Sequence, residues 1–357
     1  MQYRTSIGLD VHARSISACA FNHLTGEISE KQFVECVPQD VVDWASQFDA
    51  PMRAVYETGP TGFVLARALE KAGLECVLGA TSKMLRPSGD RQKNDKRDAL
   101  FLARMLATNN IPIVRVPDAE EEAARDLVRQ REDAREALTR AKLRLTHFLI
   151  RKGHVYEKGK KSWTQKYVKW LSTLRFETTT DKETFEEFYA DVLYARDRKE
   201  RIQRRIEAAA EDPRWKPMVQ RLRCMKGVST YTALVFAVEV GDFSRFPNAR
   251  AFQSYLGLIP SESSSGEGRH TGPITKTGNQ LARKLLTESS WFYMRDRVTI
   301  PYVVEEVPPE VAEHARKGAN RLKARARHLQ ARGKKGNVVN IAVARELAGW
   351  LWALAVM

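Results

Sequence analysis

This 357-residue sequence has few cysteines, and its acidic residues are fewer than its basic ones. Both features limit the classes of function that the protein can have. The four cysteines, Cys19, Cys36, Cys76 and Cys224, form no CxxC pair, so the sequence predicts neither a zinc site nor a disulfide framework. The 44 acidic residues are outnumbered by 59 lysines and arginines, which gives a formal net charge of +15. Such a positive field attracts polyanions, most commonly nucleic acid, although a ribosome-associated or merely basic protein would have a similar composition.

Long apolar segments are also scarce. The N-terminal sequence MQYRTSIGLD lacks the apolar core of a signal peptide, so we expect a cytoplasmic, nucleoid-associated protein. Residues 338–357 are apolar enough to resemble a membrane span, but they include Asn340, Arg345 and Glu346. Their apolar residues recur at helical spacing, which predicts an amphipathic helix packed on the protein and no membrane contact.

The first hundred residues alternate between strand and helix patterns. Predicted strands are residues 3–9, 15–21, 28–34, 52–57 and 74–78, and predicted helices are residues 41–48, 63–72 and 96–106. The order is three consecutive strands, then helix, strand, helix, strand and helix. A meander extended by two crossover strands is typical of a ribonuclease-H-like (RuvC-like) α/β domain, which we assign to residues 1–112.

The remainder of the sequence predicts helices. Apolar residues spaced by three, four and seven from Leu127 onward indicate a long helix, either a coiled-coil arm or part of an internal bundle. The basic, aromatic stretch 151–183 predicts a separate small element, and a second helix over 185–210 is expected to fold back on the first. We assign residues 113–214 to this helical, coiled-coil middle region and residues 215–357 to a mainly α C-terminal domain.

Two stretches of the C-terminal domain are candidate nucleic-acid contacts. Residues 222–229 place a glycine turn before the helix 230–240, and such a turn can offer backbone N–H groups to a phosphate. An ordinary helix–turn–helix packing unit would have the same pattern. Residues 314–336 hold nine lysines or arginines and no acid, which favours a helix that binds a nucleic-acid backbone.

Four carboxylates lie where the predicted fold brings chain segments together. Asp10 ends the first strand, Glu57 ends the fourth, and Asp95 and Asp98 precede and open the helix 96–106. The first and fourth strands are neighbours in a ribonuclease-H-like sheet, and the helix packs across it. Acids so placed repel one another unless cations neutralise them, and Mg²⁺ or Mn²⁺ accepts such oxygen ligands. Two such ions can stabilise the attacking and leaving oxygens of phosphoryl transfer.

Actin-like ATPases and sugar kinases also open with a strand of the IGLD type and a hairpin. They follow the aspartate with a small, glycine-containing phosphate turn, whereas this sequence has the bulky Asp10-Val11-His12. A strong positive charge is not expected of them either. The nuclease-like interpretation is therefore preferred, and ATP binding by the protein would reverse that preference.

A second informative segment is rich in serine and glycine. Residues 256–266 read LGLIPSESSSG, and residues 272–279 read GPITKTGN. Composition alone predicts a flexible loop. A serine in a mobile, basic loop can also attack a phosphodiester, with the phosphate held by Lys276, Arg269 and Arg283.

Several long motifs in these segments resemble one known family. They are IGLDVH, VYETGPTG, KNDKRDALFLARML, GVSTYTA, EVGDFSRFPNARAFQSYLGLIPSESSSG and GPITKTGNQLARKLL, which span roughly residues 5–107 and 220–292 in the family's order. The sequence is similar to insertion-sequence transposases that join a RuvC-like DEDD domain to a C-terminal domain with a catalytic serine. These proteins are also called bridge-RNA-guided recombinases.

The resemblance implies roles that composition does not. The DEDD positions would be filled by Asp10, Glu57, Asp95 and Asp98. Ser265 would attack DNA to form a phosphoserine; Ser263 and Ser264 adjoin it, so the register of the nucleophile stays open by a residue or two. Carboxylates and serine would form a composite active site. Candidate nucleic-acid-binding residues are Lys93, Lys96, Arg97, Arg269, Lys276 and Arg283.

The resemblance also implies partners. These are target and donor DNA, a structured noncoding guide (bridge) RNA that pairs with both, and a homo-oligomer from dimer to tetramer. One alternative is a Holliday-junction-resolving endonuclease whose carboxylates activate water, which predicts free 5′-phosphate ends and no covalent species. Another is a non-enzymatic RNA-binding protein, and the intact set of four acids opposes it.

Overall fold

The computed structural model describes residues 3–80, 94–157, 160, 162–265, 268–295 and 307–357. The chain divides into two compact units, Met1–Asp118 and Ala119–Met357, and each has its own hydrophobic core. The expected division into three domains stays a prediction.

The N-terminal unit is a six-stranded mixed sheet with helices. Its elements in chain order are β1 (Thr5–Val11), β2 (Ser15–Asn22), β3 (Ile28–Val34), α1 (Pro38–Ala45), β4 (Met52–Glu57), α2 (Val64–Lys71), β5 (Cys76–Gly79), α3 (Asp95–Ala107) and β6 (Ile113–Val114). The sheet order is β3-β2-β1-β4-β5-β6, with β1, β4 and β5 parallel. The predicted element order and the β1–β4 pairing are confirmed, and the topology fits a ribonuclease-H-like domain.

Helix α3 lies against β1 because β1 carries a glycine at the contact. A Cβ atom added to Gly8 would overlap the backbone oxygen of Ala99 and lie 2.6 Å from the backbone nitrogen of Ala103. Side chains two residues apart on a strand point to the same face. Gly8 therefore admits the helix on the face to which Asp10 also belongs.

The C-terminal unit is mainly helical. Its elements are α4 (Ala119–Arg151), α5 (Gln165–Leu171), α6 (Thr179–Ala209), α7 (Lys216–Arg223), α8 (Thr230–Val240), α9 (Ala249–Tyr255), β7 (Pro260–Ser265), β8 (Gly268–Ile274), α10 (Gln280–Ser290), α11 (Pro309–Ala331) and α12 (Gly336–Val356). Helices α4 and α6 pack along each other, and α5 joins their distal core through Tyr167 and Leu171. The fold-back of the second helix is thus observed, while a coiled coil between subunits stays a prediction.

Helix α12 is the apolar C-terminal segment. By length and composition alone it could cross a membrane, but half of its most apolar window is buried in the unit. Val343, Leu347 and Leu351 belong to the core around α8. This arrangement is the one expected of a helix packed on the protein.

Two local expectations were wrong. Asp95 does not precede helix α3 but is its first residue, because the side chain of Asn94 caps the helix by accepting a hydrogen bond from the Lys96 N–H at 3.1 Å. The serine-rich segment is not an irregular loop but the antiparallel hairpin β7–β8.

Candidate metal centre and serine hairpin

Asp10 and Glu57 lie at the carboxyl ends of the neighbouring parallel strands β1 and β4, at the same edge of the sheet. The last registered pair between the parallel strands β1 and β4 is Leu9 with Tyr56, so the next residue on each strand is an acid. Both acids line one cleft of about 720 Å³, together with Thr58 and other residues that follow β1 and β4. Sheet register alone therefore puts two carboxylates at one opening.

The first turn of α3 supplies a third carboxylate. Asp95 Oδ2 lies 3.7 Å from His12 Nε2, and the same nitrogen lies 3.4 Å from Asp10 Oδ2. One donor atom from each of these three residues falls within 4.8 Å of the other two. Asp98, one helical turn after Asp95, is half-buried and raises the pKa of Asp10 through its charge.

His12 is a site residue that the sequence-based prediction missed. Its ring bridges Asp10 and Asp95, and its side chain is 53% exposed. The available signal was its spacing: His12 directly follows β1 and comes two residues after Asp10, and side chains two residues apart along a strand point to the same face.

The electrostatics of this cluster favour a cation. Burial raises the pKa of the Asp10 carboxyl above its ordinary value, and the charges of Asp95 and Asp98 raise it further, while His12 opposes them. A divalent ion would remove this repulsion. Carboxylate oxygens suit Mg²⁺ and Mn²⁺, and an imidazole nitrogen is a common ligand of first-row transition metals. The donor set therefore fits a divalent metal.

Two of the three basic residues that were predicted to bind nucleic acid beside the aspartates belong to the described structure. Lys96 and Arg97 are exposed in the first turn of α3, next to Asp95 and Asp98. Lys93 lies outside the described residues. A basic rim beside a carboxylate cluster can hold a phosphate without neutralising the acids.

The serine hairpin is a two-stranded antiparallel ladder that is exposed at residues 260–263 and 271–273. Ser263 pairs with His270, Ser264 with Arg269, and Ser265 with Gly268, so Ser265 occupies the last paired position before the turn. The side chains of residues 264–270, including Ser265 and Arg269, lie outside the described part of the structure. Near the base, the Ser261 hydroxyl donates a hydrogen bond to the Pro273 carbonyl at 3.0 Å.

The base of the hairpin is closed by tight backbone contacts. Gly278 has φ +74°, and a Cβ there would overlap the Tyr255 carbonyl. Arg283 Nη1 donates hydrogen bonds to the carbonyls of Leu256 at 3.1 Å and Thr277 at 2.8 Å. The guanidinium predicted to hold a phosphate is thus engaged with the backbone, whereas Lys276, in the same turn, is exposed.

A polar network around the buried Glu239 carboxylate supports the base of the hairpin. Glu239 accepts hydrogen bonds from Arg129 Nε at 2.7 Å, from Arg129 Nη2 at 2.9 Å and from Asn279 Nδ2 at 2.8 Å. Asn279 Oδ1 caps α10 by accepting from the Ala282 N–H at 2.9 Å. The network joins α4 and α8 to Asn279, which lies between β8 and α10. No local pattern in the sequence predicts this network, because its residues are far apart along the chain.

Known proteins share both regions. A family model named DEDD_Tnp_IS110, described as "Transposase", matches residues 7–152, and one described as "Transposase IS116/IS110/IS902 family" matches residues 219–302. The Sinorhizobium fredii protein "Putative transposase y4qE" is 38% identical over 98% of this chain and 88% of its own length. The chain belongs to the IS110 family of transposases. The transposase for insertion sequence element IS1533 of Leptospira borgpetersenii is 29% identical over 94% of this chain and 99% of its own length.

The two family matches cover the carboxylate cluster and the serine hairpin. The first match contains all four predicted acids, and the second contains the hairpin and α10. This IS110-family protein is therefore a DNA transposase with an N-terminal DEDD domain, and the resemblance to DEDD insertion-sequence transposases is confirmed. The carboxylate and histidine cluster of that domain is its candidate divalent-metal centre.

Proposed function

We propose that this transposase moves its insertion sequence by cutting and rejoining DNA through a phosphoserine at Ser265, with divalent ions held by the DEDD carboxylates. The observation that carries the proposal is the approach of Asp10, His12 and Asp95, whose donor atoms lie within 4.8 Å of one another. Glu57 lines the same cleft as Asp10, and Asp98 raises the pKa of Asp10 by its charge. An ion bound there would stabilise negative charge on the phosphate as the reaction proceeds.

The serine step exchanges one phosphodiester for another. Ser265 Oγ loses its proton to a base and forms a bond to phosphorus, while the bond from phosphorus to the leaving sugar oxygen breaks. That oxygen takes up a proton and becomes a free hydroxyl. The phosphoserine linkage is itself a phosphodiester, so no phosphodiester is lost to hydrolysis. A hydroxyl of another strand can therefore attack it and rejoin the DNA without a further cofactor, while the serine leaves.

Guide RNA and oligomerisation complete the proposal. The formal net charge of +15 is suited to long polyanions, and a structured noncoding RNA would supply sequence recognition by pairing with target and donor DNA. The long α4–α6 arm is a candidate contact between subunits, because a helix pair of this length presents a large surface. Exchange of two DNAs requires at least a dimer, and a tetramer provides one dimer for each DNA.

Replacing the proposed nucleophile tests the serine step. Ser265→Ala should abolish the denaturation-resistant protein–DNA adduct, because no other hydroxyl would occupy its position. Full-length protein is incubated with the noncoding RNA encoded beside its gene, a junction substrate and Mn²⁺, and adducts are separated on denaturing gels. Ser263→Ala is the matched control, since it removes a hydroxyl two residues earlier in the same strand and should retain the adduct. Full adduct yield with Ser265→Ala contradicts the assignment.

Replacing a metal ligand tests the carboxylate centre. Asp10→Asn keeps the shape of the side chain but removes the charge, so strand cleavage should fall roughly 1,000-fold, as expected for loss of several kcal/mol of metal-based stabilisation. Asp43→Asn, an exposed acid on α1, is the control and should cleave normally. Undiminished cleavage by Asp10→Asn would exclude this metal centre.

The same cluster favours one alternative function. Metal held by carboxylates can activate water, which would make the protein a junction-resolving endonuclease. In that case DNA is cut with free 5′-phosphate ends, Ser265→Ala cleaves normally and no adduct forms.

A further inference from the structure

A groove within the C-terminal unit adjoins the base of the serine hairpin. It encloses about 520 Å³ where α9, α11 and α12 meet the first residues of β7. Arg250 of α9, Arg325 of α11 and Arg345 of α12 line it, together with Glu262 and Glu346. Three helices thus each direct one arginine to the same opening.

None of these three arginines has a hydrogen-bond or ion-pair partner among the described residues. Other arginines of these helices are engaged: Arg316 pairs with Glu313, and Arg321 Nε donates to Glu346 Oε1 at 2.8 Å. Glu346 is therefore already neutralised by an arginine outside the groove. Three arginines without partners give the groove a positive charge, and charge-assisted hydrogen bonds would hold a ligand that carries several negative charges.

The groove continues into an apolar pocket. This second cavity of about 440 Å³ shares Pro260, Ala342 and Arg345 with the groove, and its walls include Ile341 and Pro273. On α12, residues 341, 342 and 345 recur at helical spacing, so one face of the helix presents both the apolar wall and the charge. A ligand that joins anionic groups to flat, less polar ones fits such a surface. A nucleic-acid strand has this chemistry.

We propose that the groove binds the phosphodiester backbone of a single DNA strand, with an unpaired sugar or base of that strand in the apolar pocket. A duplex fits poorly, because its bases are stacked in its interior. The inference rests on the proposed function in one respect, since the bound strand is the one that leads to Ser265. From Pro260 to Ser265 the strand β7 rises about 17 Å, a distance that a few nucleotides span.

The salt dependence of binding tests the groove directly. Each phosphate contact on a single strand adds about 0.7 to the slope of log affinity against log salt. The triple variant R250Q/R325Q/R345Q should therefore lower that slope by about 2 and weaken binding at least roughly tenfold at low salt. Full-length protein in EDTA is titrated with a fluorescent single-stranded oligonucleotide, so that the DNA stays intact. The Gln side chains keep most of the packing volume.

A matched control removes the same three charges elsewhere. Arg4, Lys31 and Lys71 are exposed in the N-terminal unit and lie outside both the groove and the basic segment 314–336. The variant R4Q/K31Q/K71Q should stay close to wild type in single-strand affinity. Equal losses in the two triple variants would overturn the proposal, because only total charge would then matter. If the groove variant melts early, the three single substitutions replace it, each lowering the slope by about 0.7.

Other ligands give distinct outcomes. A loss confined to the guide RNA, or an equal loss for duplex and single-stranded DNA, would overturn the single-strand assignment. The groove proposal and the proposed function can also be contradicted independently of each other. Wild-type protein that forms no adduct at Ser265, while the groove variant still loses single-strand affinity, contradicts the phosphoserine and leaves the groove standing. If the groove variant binds single-stranded DNA normally while wild-type protein forms the adduct, the groove proposal is contradicted and the phosphoserine stands.

Discussion

The metal centre and the serine hairpin differ in how their positions are fixed. The metal centre lies at the edge of a buried sheet, where Asp10 follows the fully buried Leu9 and α3 contacts Gly8 without a side chain between them. The hairpin is exposed along Pro260–Ser263, and its base is held by tight glycine turns and the Arg129–Glu239–Asn279 network. Rigid positioning suits groups proposed to hold a metal, whereas an exposed ladder suits the proposed nucleophile, which must reach DNA.

The largest effect should come from breaking the frame of the metal centre. Gly8→Ala places a methyl group in the backbone of α3, so the free energy of unfolding should fall by about 3 kcal/mol or more. Metal affinity should fall with it, because Asp95 and Asp98 move with the helix. Chemical denaturation and Mn²⁺ titration measure the two losses. Gly59→Ala is the control for stability, since the nearest atom to its added methyl lies 4.0 Å away.

A smaller effect should come from breaking the support of the hairpin. Arg129→Met leaves the Glu239 side chain, which is 3% exposed, with Asn279 as its remaining partner in the network. Because Arg129 is itself half exposed, the loss should be about 2 kcal/mol, below that of a fully buried pair. Adding Glu239→Gln should restore part of it. Arg144→Met on the same helix breaks an exposed pair with Asp191 and should cost less than about 0.5 kcal/mol. Equal losses at both positions would contradict a supporting role.

The smallest effect has the opposite sign. Burial raises the pKa of Asp10, so its contribution to stability is full below the unfolded-state pKa and is lost as pH rises through the folded-state pKa. At neutral pH without metal, Asp10→Asn should therefore melt slightly above wild type, and the difference should vanish in acid. With Mn²⁺ the order should reverse, because binding stabilises only a protein with the intact site. Thermal melts across pH, with EDTA or Mn²⁺, provide the measurement.

The two regions also differ in how much of their structure can be predicted from the sequence. The strands of the N-terminal unit carry alternating or continuous apolar residues, so their order and the meeting of Asp10 with Glu57 followed from pattern and topology. The two-residue strand β6 is too short to carry such a pattern. The hairpin was missed because Ser261, Glu262 and Thr271 are all exposed, and a ladder that is polar on both faces has no alternation. The Arg129–Glu239 pair joins residues 110 apart, for which the sequence holds no local signal.

The central claim is that an IS110 transposase with this metal centre cuts DNA by attaching it to Ser265. Mass spectrometry tests it most directly: protein incubated with guide RNA, junction DNA and Mn²⁺ is digested with nuclease and protease, and the peptide that contains residues 263–265 is sequenced. We expect a nucleotide linked through phosphate to Ser265 in the wild type and no such linkage in Asp10→Asn. Cut DNA with free 5′-phosphate ends and an unmodified peptide would contradict it.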